Sequence, residues 1–351
     1  MKILINTPYL HLLGGVANHY LGLRDYWHED VKYNTIGKRN SKQGFGKLWI
    51  IYDIIKFIFQ ILAFKPNVIL LNPSLGKSAV YRDFLFLKIA KLFGRKTVMF
   101  FHGFNKDNIK NIGIEYLKNN LNKSDGVIVL AKEFEEIIRS WGVVIPIHLT
   151  STKVDDKLLK SFDINQRNSE VSSILFLSRI TKEKGIYTVL DAYEVLLQKY
   201  PYLTLKVVGD GDELPNVRKY AENKALKGVR FTGALTGMDL IKKFKDGDLY
   251  FFPTFHAEGM PTSVLEAMAF GLPVITRPVG GLVDFFTNDM GRMIDSFEAK
   301  DFIPAIEDYL QNPDLCKSTS LFNHQYAKEN FLASEVASKL EVKLKEIYYY
   351  D

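Results

Sequence analysis

Residues 248–276 read D-L-Y-F-F-P-T-F-H-A-E-G-M-P-T-S-V-L-E-A-M-A-F-G-L-P-V-I-T. The apolar run 249–252 predicts a buried strand, and 272–276 predicts a second one. Between them, 264–270 is a run of good helix formers stopped by Gly271. A helix that starts just after a strand presents unpaired N–H groups and a positive dipole end, which suit an anion such as a diphosphate. Glu258 stands in the loop before this helix, and Glu266 falls in its first turn. Carboxylates repel phosphate, but each accepts hydrogen bonds from two hydroxyls of a neutral polyol. Phosphate plus polyol suggests a nucleotide sugar. A plainer reading stands beside this one: Ser263 and Glu266 have capping-box spacing, and Glu258 would then be a solvated loop acid.

The run E-G-M-P-T-S-V-L-E-A-M-A-F-G-L-P-V-I, 258–275, resembles the E-x7-E region of the retaining, family-four type glycosyltransferases of GT-B fold, the glycosyl transferases group 1. The resemblance implies that Glu258 meets the donor sugar hydroxyls and Glu266 the nucleotide ribose, with Gly259, Met260, Pro261 and Thr262 supplying backbone beside them. It is densest over 173–284 and weak before residue 171.

The whole chain fits that scale. Its 351 residues suit two domains, with 47% hydrophobic and 13% aromatic residues to fill two cores. One cysteine, Cys316, excludes an internal disulfide framework and points to a reducing compartment. The opening M-K-I-L-I-N reads as a strand; its apolar run is too short for a signal peptide. The net charge of +6 permits attraction to phosphate or anionic lipid. No basic block with interleaved aromatics marks a nucleic-acid surface.

In the first half, strand 2–8 leads to Gly14-Gly15 and a helix reaching about residue 27. A glycine pair there lets the backbone approach a phosphate closely, though it lacks a full G-x-G-x-x-G and could be a turn. The family has a glycine loop at this place against the donor diphosphate. Residues 38–47 are read as a basic loop on the acceptor side. The mostly apolar run 48–64 carries Asp53 and Lys56 and is short for a membrane span. Apolar residues on all its sides predict a buried helix, with a membrane-touching helix as the second reading. Strands at 67–72, 97–101, 126–130 and 145–149 alternate with helices at 81–93 and 109–121, which implies a parallel sheet. His102 ends one of these strands, where open α/β sheets bind ligands. Alone it would more often be structural; the resemblance places it near C6 of the donor sugar.

The polar stretch 151–172 is expected as a linker. The second half then restarts the pattern with strands 173–177, 203–208 and 229–232 and helices 186–200 and 239–245. Arg179 and Lys184 flank the start of helix 186–200, spaced to grip a diphosphate from two sides, although an exposed charged turn would look the same. They match the family's R-x-x-x-x-K-G segment, which neutralises the departing nucleotide diphosphate. The loop Gly233-Ala234-Leu235 falls where the family meets the nucleobase through backbone. Helices are expected at 301–310 and 334–350.

The expectation is therefore an α/β chain of GT-B type: two Rossmann-like, doubly wound parallel-sheet domains facing a central cleft. The boundaries are 1–150 on the acceptor side, linker 151–172, donor domain 173–330, and a terminal helix 331–351 crossing back to the first domain. The activity expected is a retaining transfer from a nucleoside diphosphate sugar, a UDP-sugar favoured, to a glycan or lipid-linked acceptor in cell-surface polysaccharide synthesis. Glu258, His102, Arg179 and Lys184 are the catalytic candidates; Gly14, Gly15, Gly233 and Leu235 join the donor-binding set. No metal and no cofactor are expected, the nucleotide sugar being a co-substrate. Partners would be the donor, the acceptor and an anionic membrane surface, with no nucleic acid, in the cytoplasm at the inner face of the membrane. Two D-x-D triplets, 210–212 and 246–248, keep open a metal-assisted site of GT-A type. The same architecture would also serve a sugar-nucleotide epimerase or a non-catalytic nucleotide-sugar binder.

Overall fold

The computed structural model describes residues 1–12, 14–37, 46–104 and 106–349. By contact the chain divides into two units. The first is Met1–Lys153 with Ala257–Met260 and Ala333–Asp351; the second is Val154–His256 with Pro261–Leu332.

In the first unit the strands are β1 (Lys2–Thr7), β2 (Asp30–Thr35), β3 (Val68–Leu71), β4 (Lys96–Phe101), β5 (Gly126–Val129) and β6 (Ile147–Leu149). They pair in parallel in the order β2-β1-β3-β4-β5-β6. The inner strands are buried without break, V-I-L-L in β3 and G-V-I-V in β5, as a sheet covered on both faces requires. One face carries α2 (Gly46–Phe64), α3 (Lys77–Leu92), α4 (Lys106–Ile112), α5 (Ile114–Leu121) and α6 (Lys132–Ser140). The other carries α1 (Gly15–Leu23) and the terminal α13 (Ala333–Tyr349), whose Val336, Leu340, Leu344 and Ile347 pack on Ile3, Ile5 and Val98. Burying each such side chain contributes about 1.5–3 kcal/mol. Glu341 fixes the register of α13 by accepting the backbone N–H groups of His28 and Glu29 at 2.7 and 2.8 Å.

The second unit contains β7 (Ser173–Leu177), α7 (Ile186–Lys199), β8 (Thr204–Val208), α8 (Leu214–Asn223), β9 (Val229–Gly233), α9 (Gly237–Asp246), β10 (Leu249–Phe252), α10 (Thr262–Ala269), β11 (Val274–Thr276), β12 (Gly291–Met293), α11 (Ala299–Gln311) and α12 (Pro313–Asn330). Its sheet order is β12-β11-β10-β7-β8-β9, again parallel throughout. Renumbered from β7, that is the doubly wound order 3-2-1-4-5-6, with its reversal between β7 and β10.

Three expectations need correction. The helix expected over 109–121 is two helices, because Gly113 adopts φ 95° between α4 and α5. The first helix, expected to reach about residue 27, ends at Leu23. The helix expected to be buried on all sides is α2, and it is not. Phe57 and Ile61 are fully buried, while Ile51, Tyr52, Ile55, Phe59 and Leu62 are 51–67% exposed. The basic loop expected over 38–47 lies outside the described residues as far as residue 45.

Candidate functional site

In an open parallel sheet, ligands collect at the carboxyl ends of the strands beside the order reversal, because flanking loops diverge there. In the second unit those strands are β7 and β10, paired through Leu249↔Ile174 and Tyr250↔Leu175. The loop after β7 is 178–185, which carries Arg179 and Lys184. The loop after β10 leads to Pro261 and α10.

Backbone hydrogen bonds tie these loops together. The Glu183 carbonyl accepts the N–H groups of Phe255 and His256 at 2.9 and 3.1 Å and the Thr254 hydroxyl at 3.1 Å. The N–H groups of Ser178 and Ile180 donate to the carbonyls of Val208 and Asp210, and that of Gly209 to the Gly233 carbonyl. Gly209 has φ 139°, and a Cβ there would stand 1.8 Å from the Ser178 carbonyl oxygen. Glycine is therefore the residue that lets the loops after β7 and β8 touch. On this frame Arg179 is exposed, whereas Lys184 is buried with its ammonium 5.9 Å from the Phe252 ring centre. Gly233, at φ 74°, closes β9, and Leu235 follows it at the same end of the sheet; among the described residues a Cβ on Gly233 would meet nothing within 4 Å.

Helix α10 begins at Thr262, with Pro261 as its N-cap and no side-chain capping bond. The Ser263–Glu266 capping box is thus not formed. Ser263 already lies inside the helix, and its hydroxyl pairs at 2.8 Å with Tyr250, whose own hydroxyl reaches the Leu177 carbonyl at 2.9 Å. Glu266 falls in the second turn rather than the first, half-buried.

The first unit has its own reversal, between β1 and β3. Gly14 caps α1 just after β1, and neither it nor Gly15 has any atom within 4 Å of a built Cβ. Among the described residues, no crowding explains glycine at these positions. At the end of β3 stands Asn72, buried. Its Oδ1 receives the Tyr20 hydroxyl at 2.6 Å and pairs with His102 Nε2 at 2.9 Å, while its amide donates to the Asn6 carbonyl at 2.7 Å. That carbonyl bond fixes which Asn72 atom is oxygen, so His102 donates from Nε2 and keeps Nδ1 as its acceptor nitrogen. Burial against Phe100, whose ring centre is 3.8 Å away, pushes the His102 pKa down to about 3, so the ring is neutral. His19 of α1 packs edge-on against His102 at 4.8 Å, and both of its ring nitrogens are buried without a partner. Desolvation first, then His102 and Lys153, hold its pKa well below the ordinary value.

Ala257–Met260, containing Glu258, Gly259 and Met260, is grouped with this first unit. There a Cβ on Gly259 would lie 2.4 Å from the His102 carbonyl oxygen, and Met260 packs against the cluster of α1 and α13. Glu258 is half-buried. Sequence reasoning missed Asn72 and His19. Asn72 was within reach, since it closes its strand as His102 closes the neighbouring one.

The D-x-D triplets separate cleanly. Asp248 lies at the opposite, amino end of the sheet, where its Oδ2 accepts the N–H and hydroxyl groups of both Ser172 and Ser173 at 2.9–3.0 Å. It caps the start of β7. Asp210 accepts its neighbour's N–H, from Gly211, at 2.8 Å. Among the described residues no group of three His, Cys, Asp or Glu side chains is placed to hold a metal ion.

Residues 159–323 match the family model described as Glycosyl transferases group 1. An uncharacterized glycosyltransferase of Methanocaldococcus jannaschii is 24% identical over 285 residues, 79% of this chain and 68% of that protein. The alpha-monoglucosyldiacylglycerol synthase of Streptococcus pneumoniae is 28% identical over 177 residues, 47% of this chain and only 40% of that one. Among solved structures, Anabaena HepE in complex with UDP and glucose superposes with a TM-score of 0.73 at 18% identity, covering 98% of this chain and 99% of that one. Residues 159–323 thus carry the glycosyl transferases group 1 match, and the two doubly wound sheets give the chain the GT-B fold of its solved neighbours.

Proposed function

We propose that this chain is a retaining hexosyltransferase that moves a sugar from a nucleoside diphosphate sugar, a UDP-sugar by preference, to a glycan or lipid-linked acceptor. The observation that carries the donor half is the meeting of two loops at the β7/β10 reversal, one bearing Arg179 and Lys184, the other opening α10. The amides at the start of α10 and the two cations would stabilise the charge that develops on the leaving diphosphate. Glu266 would bind the ribose hydroxyls, Glu258 the sugar, and the backbone of Gly233 to Leu235 the base. Gly14 and Gly15 have the open space that a phosphate approaching the backbone needs. His102, neutral and held by Asn72, would accept a hydrogen bond from a sugar hydroxyl at Nδ1. Because Arg179 and Lys184 supply positive charge, the reading requires neither a metal nor a cofactor.

A UDP-bound solved neighbour and a relative that is a glycolipid synthase support the uridine and lipid parts of the reading. The proposed setting is cell-surface polysaccharide or glycolipid assembly at the inner face of the cytoplasmic membrane. A thermal-shift panel of UDP, GDP, ADP, TDP and CMP in EDTA tests the donor site. At about 100 times its dissociation constant a ligand adds about 2.7 kcal/mol. UDP should stabilise the wild type and not Arg179→Ala. In a transfer assay Glu258→Ala should lose at least about 100-fold in turnover, while the surface change Glu222→Ala should not. Equal activity of those two variants, or a shift that appears only with Mn²⁺, would overturn the assignment. Release of a free or epimerised sugar nucleotide, with no glycoside formed, would favour the epimerase.

A further inference from the structure

Among the described residues, exposed large apolar side chains gather most densely on α2. Its buried face is Asp53, Phe57, Ile61 and Phe64, set in the core against Phe86 and Leu87. Its outward arc is Ile51, Tyr52, Ile55, Phe59 and Leu62, each more than half exposed. At 100° per residue these five fall on one side of the helix, and none is charged or hydrogen-bonding except at the Tyr52 hydroxyl. Two of the three charged residues of α2 are turned to other tasks. Asp53 accepts the Gly37 N–H at 2.9 Å, and Lys56 donates to the Thr35 carbonyl at 2.6 Å. Trp49, 36% exposed, stands at the start of the arc. The neighbouring α3 exposes Leu85 and Leu92, the latter 85% exposed, while its Tyr81 ring packs on Tyr116 of α5 at 4.6 Å. A contiguous apolar surface of this kind is rare on a free soluble monomer and marks an interface.

We infer that the outward face of α2 is a membrane-docking surface, lying flat in the headgroup region of a bilayer that contains anionic lipid. Charge decides the occupant. Lys47 falls in the first turn of α2, which holds no carboxylate. At the far end Lys2 and Lys32 sit over the Phe64 ring at 5.3 and 5.2 Å, and Lys65, the residue that follows α2, is exposed. An apolar stripe with cations at both ends matches the interface of an anionic bilayer. A second copy of the same face would bring cation against cation. The helix lies on the membrane and does not cross it, since its other face is committed to the protein core. No helix among the described residues is long and apolar enough to span.

This inference deepens the membrane part of the proposed function, and its test is separable from the donor reading. Wild-type protein, Ile55→Glu/Phe59→Glu and the remote control Val144→Glu are each sedimented with vesicles of zwitterionic lipid alone and of zwitterionic lipid with about one-third anionic lipid. The wild type and the control should bind the anionic vesicles, and Trp49 emission should shift to the blue. The double variant should bind at least about ten-fold more weakly. Ile55→Gln/Phe59→Gln repeats the loss without adding charge, and a melting curve on each variant shows that it is folded. The UDP-induced melting shift should be the same in all of them. No binding by wild type, equal binding by the double variant, or a lipid-independent dimer that the double variant abolishes would each overturn the inference. Loss of the UDP shift in wild type would strike the donor site and leave this surface standing.

Discussion

The two strand-end regions are built by different means. In the second unit, the loops after β7, β8 and β10 are joined by main-chain hydrogen bonds, with glycine at the closest approach. In the first unit, the ends of β1, β3 and β4 are joined by side chains: Asn72 receives Tyr20 and His102 and donates to Asn6, and Asn34 in turn donates to the Asn6 side chain at 2.9 Å. A backbone frame tolerates most side-chain changes and fixes geometry through a few glycines. A side-chain network can be re-tuned residue by residue.

The sharpest way to break this comparison is Gly209→Ala. A methyl group would collide with the Ser178 carbonyl, and φ 139° is strained for any other residue. The expected loss is about 4 kcal/mol of unfolding free energy, enough to unfold the second unit at ordinary temperatures. A chemical-denaturation curve within about 1 kcal/mol of wild type would show that the loops are not rigidly joined. Next in size is Asn72→Leu in the first unit. It leaves a buried tyrosine hydroxyl, a histidine N–H and a carbonyl without partners, for an expected loss of about 3 kcal/mol. The second unit should keep its UDP-induced shift in this variant, while transfer falls as His102 loses its orientation. Loss of both together would mean that the two networks are one.

The same contrast explains what can be read from the sequence. The strands 173–177 and 249–252 are legible to the residue, because apolar runs buried on both faces of a sheet have no other use. The glycine and charge spacing of the second unit is visible because backbone geometry leaves obligatory residues behind. Elements held by other means are not visible. The edge strand β2, D-V-K-Y-N-T, is mostly polar and only partly buried, so it carries no clear strand signal. Helix α12 buries Cys316, Thr319, Ser320 and Asn323, so no apolar stripe announces it. Its Asn323 side chain works by donating to the carbonyls of Leu272 and Met290, a contact that only the folded chain reveals. The exposure of α2 is hidden because an apolar helix looks the same whether it is buried in protein or laid against lipid. Likewise Ser263 and Glu266 have the spacing of a capping box, but Pro261 starts the helix too early for the box to close.

The smallest expected effect is also the most discriminating between structure and function. His19 is buried with both ring nitrogens unpaired, an arrangement that costs the folded state free energy. A core residue selected only for packing would be apolar, so His19→Phe should stabilise the protein, by about 1 kcal/mol at neutral pH. The gain should widen on acidification. The folded pKa of His19 lies well below 6.5. Below that value the unfolded histidine takes up a proton that the folded one refuses, and the wild type loses stability as pH falls. Phenylalanine carries no such penalty, although His102, which is also depressed, keeps part of the acid slope in both proteins. Urea curves from neutral pH down to about pH 5 measure the difference directly. If the variant is more stable yet slower in transfer, the unpaired nitrogens of His19 serve a ligand beside His102. If it is more stable and equally active, the first unit carries an unpaired histidine with no part in the reaction, and the side-chain network ends at Asn72 and His102.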